Sequence, residues 1–64
     1  MTPKKTLPER EKELQSLLAT PRGRAELQEL ESRYAAAGGG RRPGRASIIT
    51  YLLVFEREHG LIRG

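Results

Sequence analysis

The stretch SIITYLLVFEREHG, residues 47–60, is the densest apolar run of the chain and decides its fold. Its Ile, Thr, Tyr, Val and Phe residues are common in strands, so a buried strand is one interpretation. No other segment of the chain could pair with such a strand, and good helix formers continue the run toward Gly60, a typical helix stop. We therefore expect a helix at about 47–59, with Ser47 as its N-cap. Leu61 and Ile62 are then expected to fold back onto the core as a hydrophobic tail.

A first helix is expected well ahead of this run. Leu14, Leu17 and Leu18 follow one another at the i, i+3, i+4 spacing of an apolar helical stripe. Thr6 stands where an N-cap is needed, directly before the first helical position. The pattern predicts a helix at about 7–19.

A second helix is expected immediately after the first. Thr20 is a suitable N-cap, and Pro21 suits the first helical position, where its missing N–H costs nothing. Gly23 should weaken this first turn by roughly 1 kcal/mol relative to alanine. Three consecutive glycines at 38–40 interrupt the helical pattern, so the helix is predicted at about 21–37.

Together these segments predict an all-α protein with one small domain at 6–64. Almost nothing separates the first two helices, so they are expected to form an antiparallel αα-hairpin, which the third helix completes to a three-helix bundle. The segment GGGRRPGRA at 38–46 has no apolar anchor larger than alanine and is expected to be a loop. Residues 1–5 are expected to form a flexible basic tail.

The third helix is apolar on more sides than we expect two amphipathic neighbours to cover. A helix that is apolar all round needs a central position, and a 64-residue chain has little protein to surround it. We therefore expect a homodimer with two-fold symmetry that buries this helix against its copy. The residues expected at the contact are Ile48, Tyr51, Leu52, Val54 and Phe55. The alternative is that Tyr51 and Val54 are single exposed apolar residues of a monomer.

Length and composition exclude several classes of protein. The chain has 64 residues, 12 basic and 8 acidic side chains, a net charge of +4 and no cysteine. A chain of this size holds one small core, and without cysteine it has neither disulfides nor cysteine-based zinc sites. No apolar run approaches the ~18 residues of a membrane span, and none follows the first lysines as in a secretory signal. We expect a cytoplasmic protein that does not contact a membrane.

The sequence contains no recognisable catalytic arrangement. The single histidine, His59, lies about 18 Å along the expected helix from Ser47, at ~1.5 Å per residue. Ser47 is better explained as a cap, and His59 as a cation that complements the helix dipole. Glu56 and Glu58 are expected to be solvated. We therefore expect no enzymatic activity, no cofactor and no metal ion.

The arginines of the 38–46 loop are the strongest functional signal. Arg41, Arg42 and Arg45 lie within five residues of one another and have no acidic neighbour. Planar guanidinium groups match phosphate oxygens and guanine edges, and a glycine-rich backbone can approach a duplex closely. A solvated basic loop without a ligand is the alternative. The other cations expected at a nucleic-acid interface are Lys4, Lys5, Arg22 and Arg24.

Two parts of the sequence resemble known DNA-binding families. SIITYLLVFEREHGLIR at 47–63 is similar to the last helix of winged-helix and helix-turn-helix regulators. The resemblance implies that the Gly/Arg loop contacts DNA and that the loop is supported by this helix. Only Gly64 follows this stretch, so no β-wing is expected, and the Gly/Arg loop replaces the tight turn of those families. PRGR at 21–24 and RRPGR at 41–45 resemble AT-hook motifs, without the full Arg-Gly-Arg-Pro order, and imply minor-groove contact.

The interpretation that these observations favour is a small dimeric protein without enzymatic activity that binds DNA through its arginine-rich loop. The alternative is a protein–protein interaction or self-assembly module, an adaptor or inhibitor of a larger assembly, that uses the apolar third helix. In that case the arginines only keep the protein soluble. The salt dependence of nucleic-acid binding distinguishes the two functions.

Overall fold

The computed structural model of the protein describes residues 4–39, 42 and 44–63. It contains three α-helices, α1 at Leu7–Leu18, α2 at Pro21–Tyr34 and α3 at Ile48–Glu58, and no strand among the described residues. The predicted all-α, three-helix protein is therefore confirmed. Each helix contacts the other two. None of the described helices is long and apolar enough to cross a membrane.

The second helix ends earlier than the expected residue 37. After Tyr34 the chain continues into a wider helical turn at Ala35–Gly39. Gly38 has a φ of 98°, in the left-handed region that favours glycine, and it ends the helical path as the glycine run predicted. The antiparallel hairpin expected for α1 and α2 stays a prediction.

Side-chain caps fix the starts of α2 and α3 at the predicted residues. Thr20 Oγ1 accepts a hydrogen bond from the Gly23 amide at 2.9 Å, and Ser47 Oγ accepts one from the Thr50 amide at 3.1 Å. Each bond satisfies an amide that has no acceptor within its own helix. Ser47 is therefore a cap, as its place in the sequence predicted.

A single chain covers α3 almost completely. Leu14 of α1, Leu27 of α2 and Leu52 of α3 are fully buried at the centre of the core. Tyr51 and Phe55, both expected at a dimer contact, are only 3% and 7% exposed in the isolated chain. The expectation that a single chain leaves α3 largely uncovered is therefore wrong.

The homodimer was expected because α3 seemed to need a second copy to cover its apolar surface, and this reason no longer holds. Leu52, a further residue of the expected contact, is fully buried, and only Ile48 and Val54 are half-buried. Part of the cover comes from Ile62, after α3, which folds back into the core as expected and is 7% exposed, whereas Leu61, expected to fold back with it, is 51% exposed. A dimer through the expected contact residues of α3 stays an untested prediction. The burial of most of these residues within one chain does not favour it.

Glu56 is buried, and our expectation of a solvated residue is wrong. It is 3% exposed, and its carboxylate accepts hydrogen bonds from Nε and Nη2 of Arg10 on α1, each at 2.9 Å. The hydroxyl of Tyr34 on α2 donates a third hydrogen bond at 3.0 Å. Arg10 also pairs with Glu13 on its own helix. Because its members come from all three helices, this network specifies how the helices fit together.

The network predicts a pH dependence of stability that Tyr34 controls. Burial raises the pKa of the Tyr34 phenol, and the hydrogen bond to Glu56 and the charge of Glu56 raise it further. The stability that the neutral phenol contributes is therefore fully present below its ordinary pKa of about 10 and is lost as the pH rises through the higher native value. We expect wild type to have a higher free energy of unfolding than Tyr34→Phe at about pH 8. This difference should be smaller at about pH 11. Urea unfolding at the two pH values measures this, and a constant difference would contradict it.

The segments on either side of the three helices are joined by an isolated parallel β-bridge. The Leu7 amide donates to the Arg63 carbonyl at 2.8 Å, and the Arg63 amide donates to the Lys5 carbonyl at 2.9 Å. This bridge holds the segment after α3 against the start of α1. It explains how Ile62 reaches the core.

Candidate functional site

A polar cleft beside α2 contains two of the arginines that the sequence singled out. It has a volume of about 390 Å³ and lies between the end of α1, one face of α2 and the start of α3. Arg24 comes from α2 and Arg42 from the loop before α3, so only the fold brings them to one cleft. The lining residues are Leu18, Arg24, Gln28, Glu31, Ser32, Arg42 and Ile48.

Helical spacing places the polar residues of α2 along one side of the cleft. Arg24, Gln28 and Ser32 are four residues apart, so their side chains follow one another on one face of the helix. Arg24 reaches back to α1, where its Nε donates to the Leu18 carbonyl at 3.2 Å. This bond satisfies one of the last carbonyls of α1 and holds the guanidinium at the end of the cleft.

Arg42 faces a carboxylate in the cleft. Its Nη1 lies 3.3 Å from Oε2 of Glu31, which is within ion-pair range but does not form a hydrogen bond. Glu31 Oε2 is itself buried and has no hydrogen-bond donor among the described residues. The two side chains are 43% and 29% exposed overall although Oε2 is buried, so water screens their attraction only in part. Arg42 therefore contacts Glu31 without a hydrogen bond to it.

Arg22 and Arg45 lie outside the lining of the cleft. Arg45 is exposed and forms no ion pair or hydrogen bond with the residues that the structure describes. Arg22 lies 3.7 Å from Glu26, and both side chains are largely exposed. Arg41 falls outside the described residues. Of the loop arginines, Arg42 alone is placed in the cleft by the described structure.

Lys4 and Lys5 contact the body of the domain. The Lys4 ammonium group donates to the Gly60 carbonyl, and Lys5 pairs with Glu13. Hydrogen bonding to Lys5 lowers the pKa of Glu13, so this carboxylate stays charged and keeps its partner. Both lysines are weaker candidates for a phosphate contact than the cleft arginines. Residues 1–3 of the predicted tail lie outside the described residues.

Three further cations were missed by sequence analysis. The side chains of Lys12, Arg57 and Arg63 are exposed and form no ion pair or hydrogen bond within residues 4–39, 42 and 44–63. Lys12 and Arg57 each lie between two glutamates in the sequence, so the sequence suggested that neighbouring carboxylates pair with their charges. Adjacent residues of a helix point to different sides, and this geometry is the signal that could have found them.

The cleft presents several hydrogen-bond donors together, namely two guanidinium groups, the Gln28 amide and the Ser32 hydroxyl. In the described part of the chain, no group of three or more His, Cys, Asp or Glu side chains is placed to hold a metal ion. No family model matches the sequence, and no curated protein or solved structure is significantly similar to it. The resemblances to winged-helix regulators and AT-hooks therefore gain no support, and a functional assignment depends on the cleft itself.

Proposed function

We propose that this chain is a non-enzymatic protein that binds the phosphate backbone of nucleic acid through the cleft beside α2. The supporting observation is the convergence of Arg24 and Arg42, from two separate segments, with the amide of Gln28 and the hydroxyl of Ser32. Such groups are frequent donors to phosphate oxygens in nucleic-acid complexes. Arg45, which has no partner among the described residues, adds positive charge just before α3.

Arg24 and Arg42 differ in the protein contacts that they must break to bind a phosphate. Arg24 uses only its Nε within the described protein, so its two terminal nitrogens remain for a ligand. Arg42 must weaken its contact with Glu31. A guanidinium fork binds phosphate oxygens through two parallel hydrogen bonds, which are stronger than a screened contact at 3.3 Å. A phosphate is therefore expected to compete successfully with Glu31.

Binding of this kind depends steeply on salt and little on base sequence. Each phosphate of duplex DNA that a cation neutralises changes the slope of log K against log salt by about −0.9. If Arg24, Arg42 and Arg45 each neutralise one phosphate, the expected slope is about −2.7 per chain.

Replacing either cleft arginine with glutamine is expected to weaken binding to a short DNA duplex and to reduce the salt slope by about 0.9. Fluorescence anisotropy of a labelled duplex, between about 50 and 200 mM salt, measures both quantities. Arg33→Gln is the matched control, because Arg33 is exposed and pairs with Glu29 at 2.9 Å outside the cleft. Absence of binding at about 50 mM salt, or an equal loss in the control, contradicts the proposed function.

A substitution of Glu31 is expected to change the affinity for the duplex in the opposite direction. Glu31→Gln removes the carboxylate that competes for Arg42, so we expect tighter binding than in wild type. Glu29→Gln removes the same charge at an exposed position outside the cleft. A gain that is larger for Glu31→Gln supports the cleft as the binding site, whereas equal gains would show only the effect of net charge.

The alternative function, an interaction module that uses the apolar α3, has less support. Tyr51, Leu52 and Phe55 are buried within one chain, so a partner could reach these residues only if the core opened. Phosphate binding needs only side chains that are already exposed in the folded protein.

A further inference from the structure

A shallow apolar groove runs between α1 and α3 and shares no residue with the arginine cleft. Its volume is about 160 Å³. Leu7 and Val54 in this groove are half-buried, so they belong to the small apolar surface that one chain leaves uncovered. The lining residues are Leu7, Glu11, Thr50, Leu53, Val54 and Arg57.

Two opposite charges lie in this groove, one on each helix. Glu11 of α1 and Arg57 of α3 are exposed, and neither forms an ion pair or hydrogen bond with any described residue. Most other glutamates of the chain are within ion-pair distance of a cation. These are Glu13, Glu26, Glu29, Glu31 and Glu56. The groove therefore has an unpaired negative group on one side and an unpaired positive group on the other.

We propose that this groove is the docking site for a second copy of the chain, in a dimer with two-fold symmetry. In such a dimer the same patch meets itself, so α1 of one protomer faces α3 of the other. Glu11 of one protomer then pairs with the partner's Arg57, and symmetry repeats the pair. Leu7 and Val54, the half-buried apolar residues of the groove, become buried between the two ion pairs.

The charge pattern is what favours a second copy over other occupants. A patch with one charge of each sign on opposite sides of an apolar centre is complementary to itself after a two-fold rotation. A uniformly acidic or uniformly basic partner would place a like charge against either Glu11 or Arg57. The groove is small, so we expect a weak dimer with a micromolar or higher Kd. This inference is independent of nucleic-acid binding.

Sedimentation velocity of the full chain over a range of concentrations tests the proposal. The mass is expected to rise from 7.2 kDa toward twice that value as the concentration increases. Glu11→Lys and Arg57→Glu should each raise the Kd by about tenfold, because like charges then face each other across the interface. The double variant restores opposite charges at both pairs and the original net charge, so it should recover a Kd close to that of wild type.

Glu58→Lys and Arg45→Glu are the matched controls, because they make the same charge changes at exposed positions outside the groove. They should leave the Kd within about twofold of wild type. Circular dichroism establishes that each variant is folded. A mass of 7.2 kDa at every concentration, equal effects in the controls, or a double variant no better than the single ones overturns the proposal.

Discussion

Replacing Glu56 with alanine is expected to remove most of the free energy of unfolding of the protein. The change removes the acceptor of two Arg10 hydrogen bonds and of the Tyr34 hydroxyl, while the Arg10 side chain is only 17% exposed. Deleting one partner of a buried ion pair costs about 3–5 kcal/mol, and the lower end applies because Glu13 still holds Arg10. The total stability expected for a chain of this size is itself only about 3–5 kcal/mol. Urea unfolding followed by circular dichroism measures the loss.

An exposed ion pair on α2 provides the control for this prediction. Glu29→Ala removes the partner of Arg33 at the surface and should cost at most about 0.5 kcal/mol. The triple variant Arg10→Met, Tyr34→Phe and Glu56→Leu replaces the whole network with apolar side chains. It should recover most of the stability, because exchanging a complete buried ion pair for apolar groups is often neutral. Equally small losses in Glu56→Ala and Glu29→Ala would mean that the network does not stabilise the fold.

Gly23→Ala is expected to destabilise the protein, opposite in sign to what helix propensity predicts. Propensity alone favours alanine by about 1 kcal/mol. A Cβ atom on Gly23 would lie 1.8 Å from the Leu17 carbonyl oxygen and 2.7 Å from Thr20 Oγ1, and both distances are far too short. The junction of α1 and α2 must open to admit it, and overpacking of this kind costs about 1–3 kcal/mol or more. We expect a net loss of about 2 kcal/mol, measured as a lower urea midpoint.

Ala25→Gly separates propensity from the close approach of the two helices. Ala25 is exposed on the same helix, so its replacement should lower the free energy of unfolding by about 1 kcal/mol through propensity alone. A gain in stability for Gly23→Ala of similar size would show that α1 and α2 do not approach each other at this residue.

The three helices were predictable because the signals for them are local. Thr20 and Ser47 cap the amides three residues ahead of them, and such contacts depend on no distant part of the chain. The burial of α3 was not predictable in the same way. An apolar tail at Leu61-Ile62 was expected on the core, but the local pattern does not show which of the two residues enters it. The bridge to the start of α1 places Ile62 in the core and leaves Leu61 51% exposed.

Glu56 and Gly23 show why the rest could not be predicted. A glutamate near a helix end, followed by an arginine and another glutamate, has the pattern of a solvated surface. Only the fold brings Arg10, 46 residues away, within hydrogen-bond distance of Glu56. Gly23 looked like a weakness of α2 because the sequence does not show how closely the end of α1 approaches it.

The candidate site was predictable in its residue types but not in its arrangement. Composition pointed to arginine, and Arg24 and Arg42 were both among the expected cations. Their meeting in one cleft depends on where the fold places Arg42 relative to α2, which no local pattern encodes. Glu31, which competes for Arg42, was missed because it is one of many helical glutamates in the sequence.

The hydrogen bonds that join Arg63 to Lys5 and to Leu7 bring the two ends of the three-helix segment together, nearly as in a closed ring. A ring has no intrinsic first or last element, so the order of the helices along the chain is incidental to how they pack. Covalently joining the backbone near these residues, and opening it within the glycine-rich stretch at 38–46, would leave every helix beside its present neighbours. A circular permutant that begins with α3 is therefore expected to have the same helix packing as the present chain.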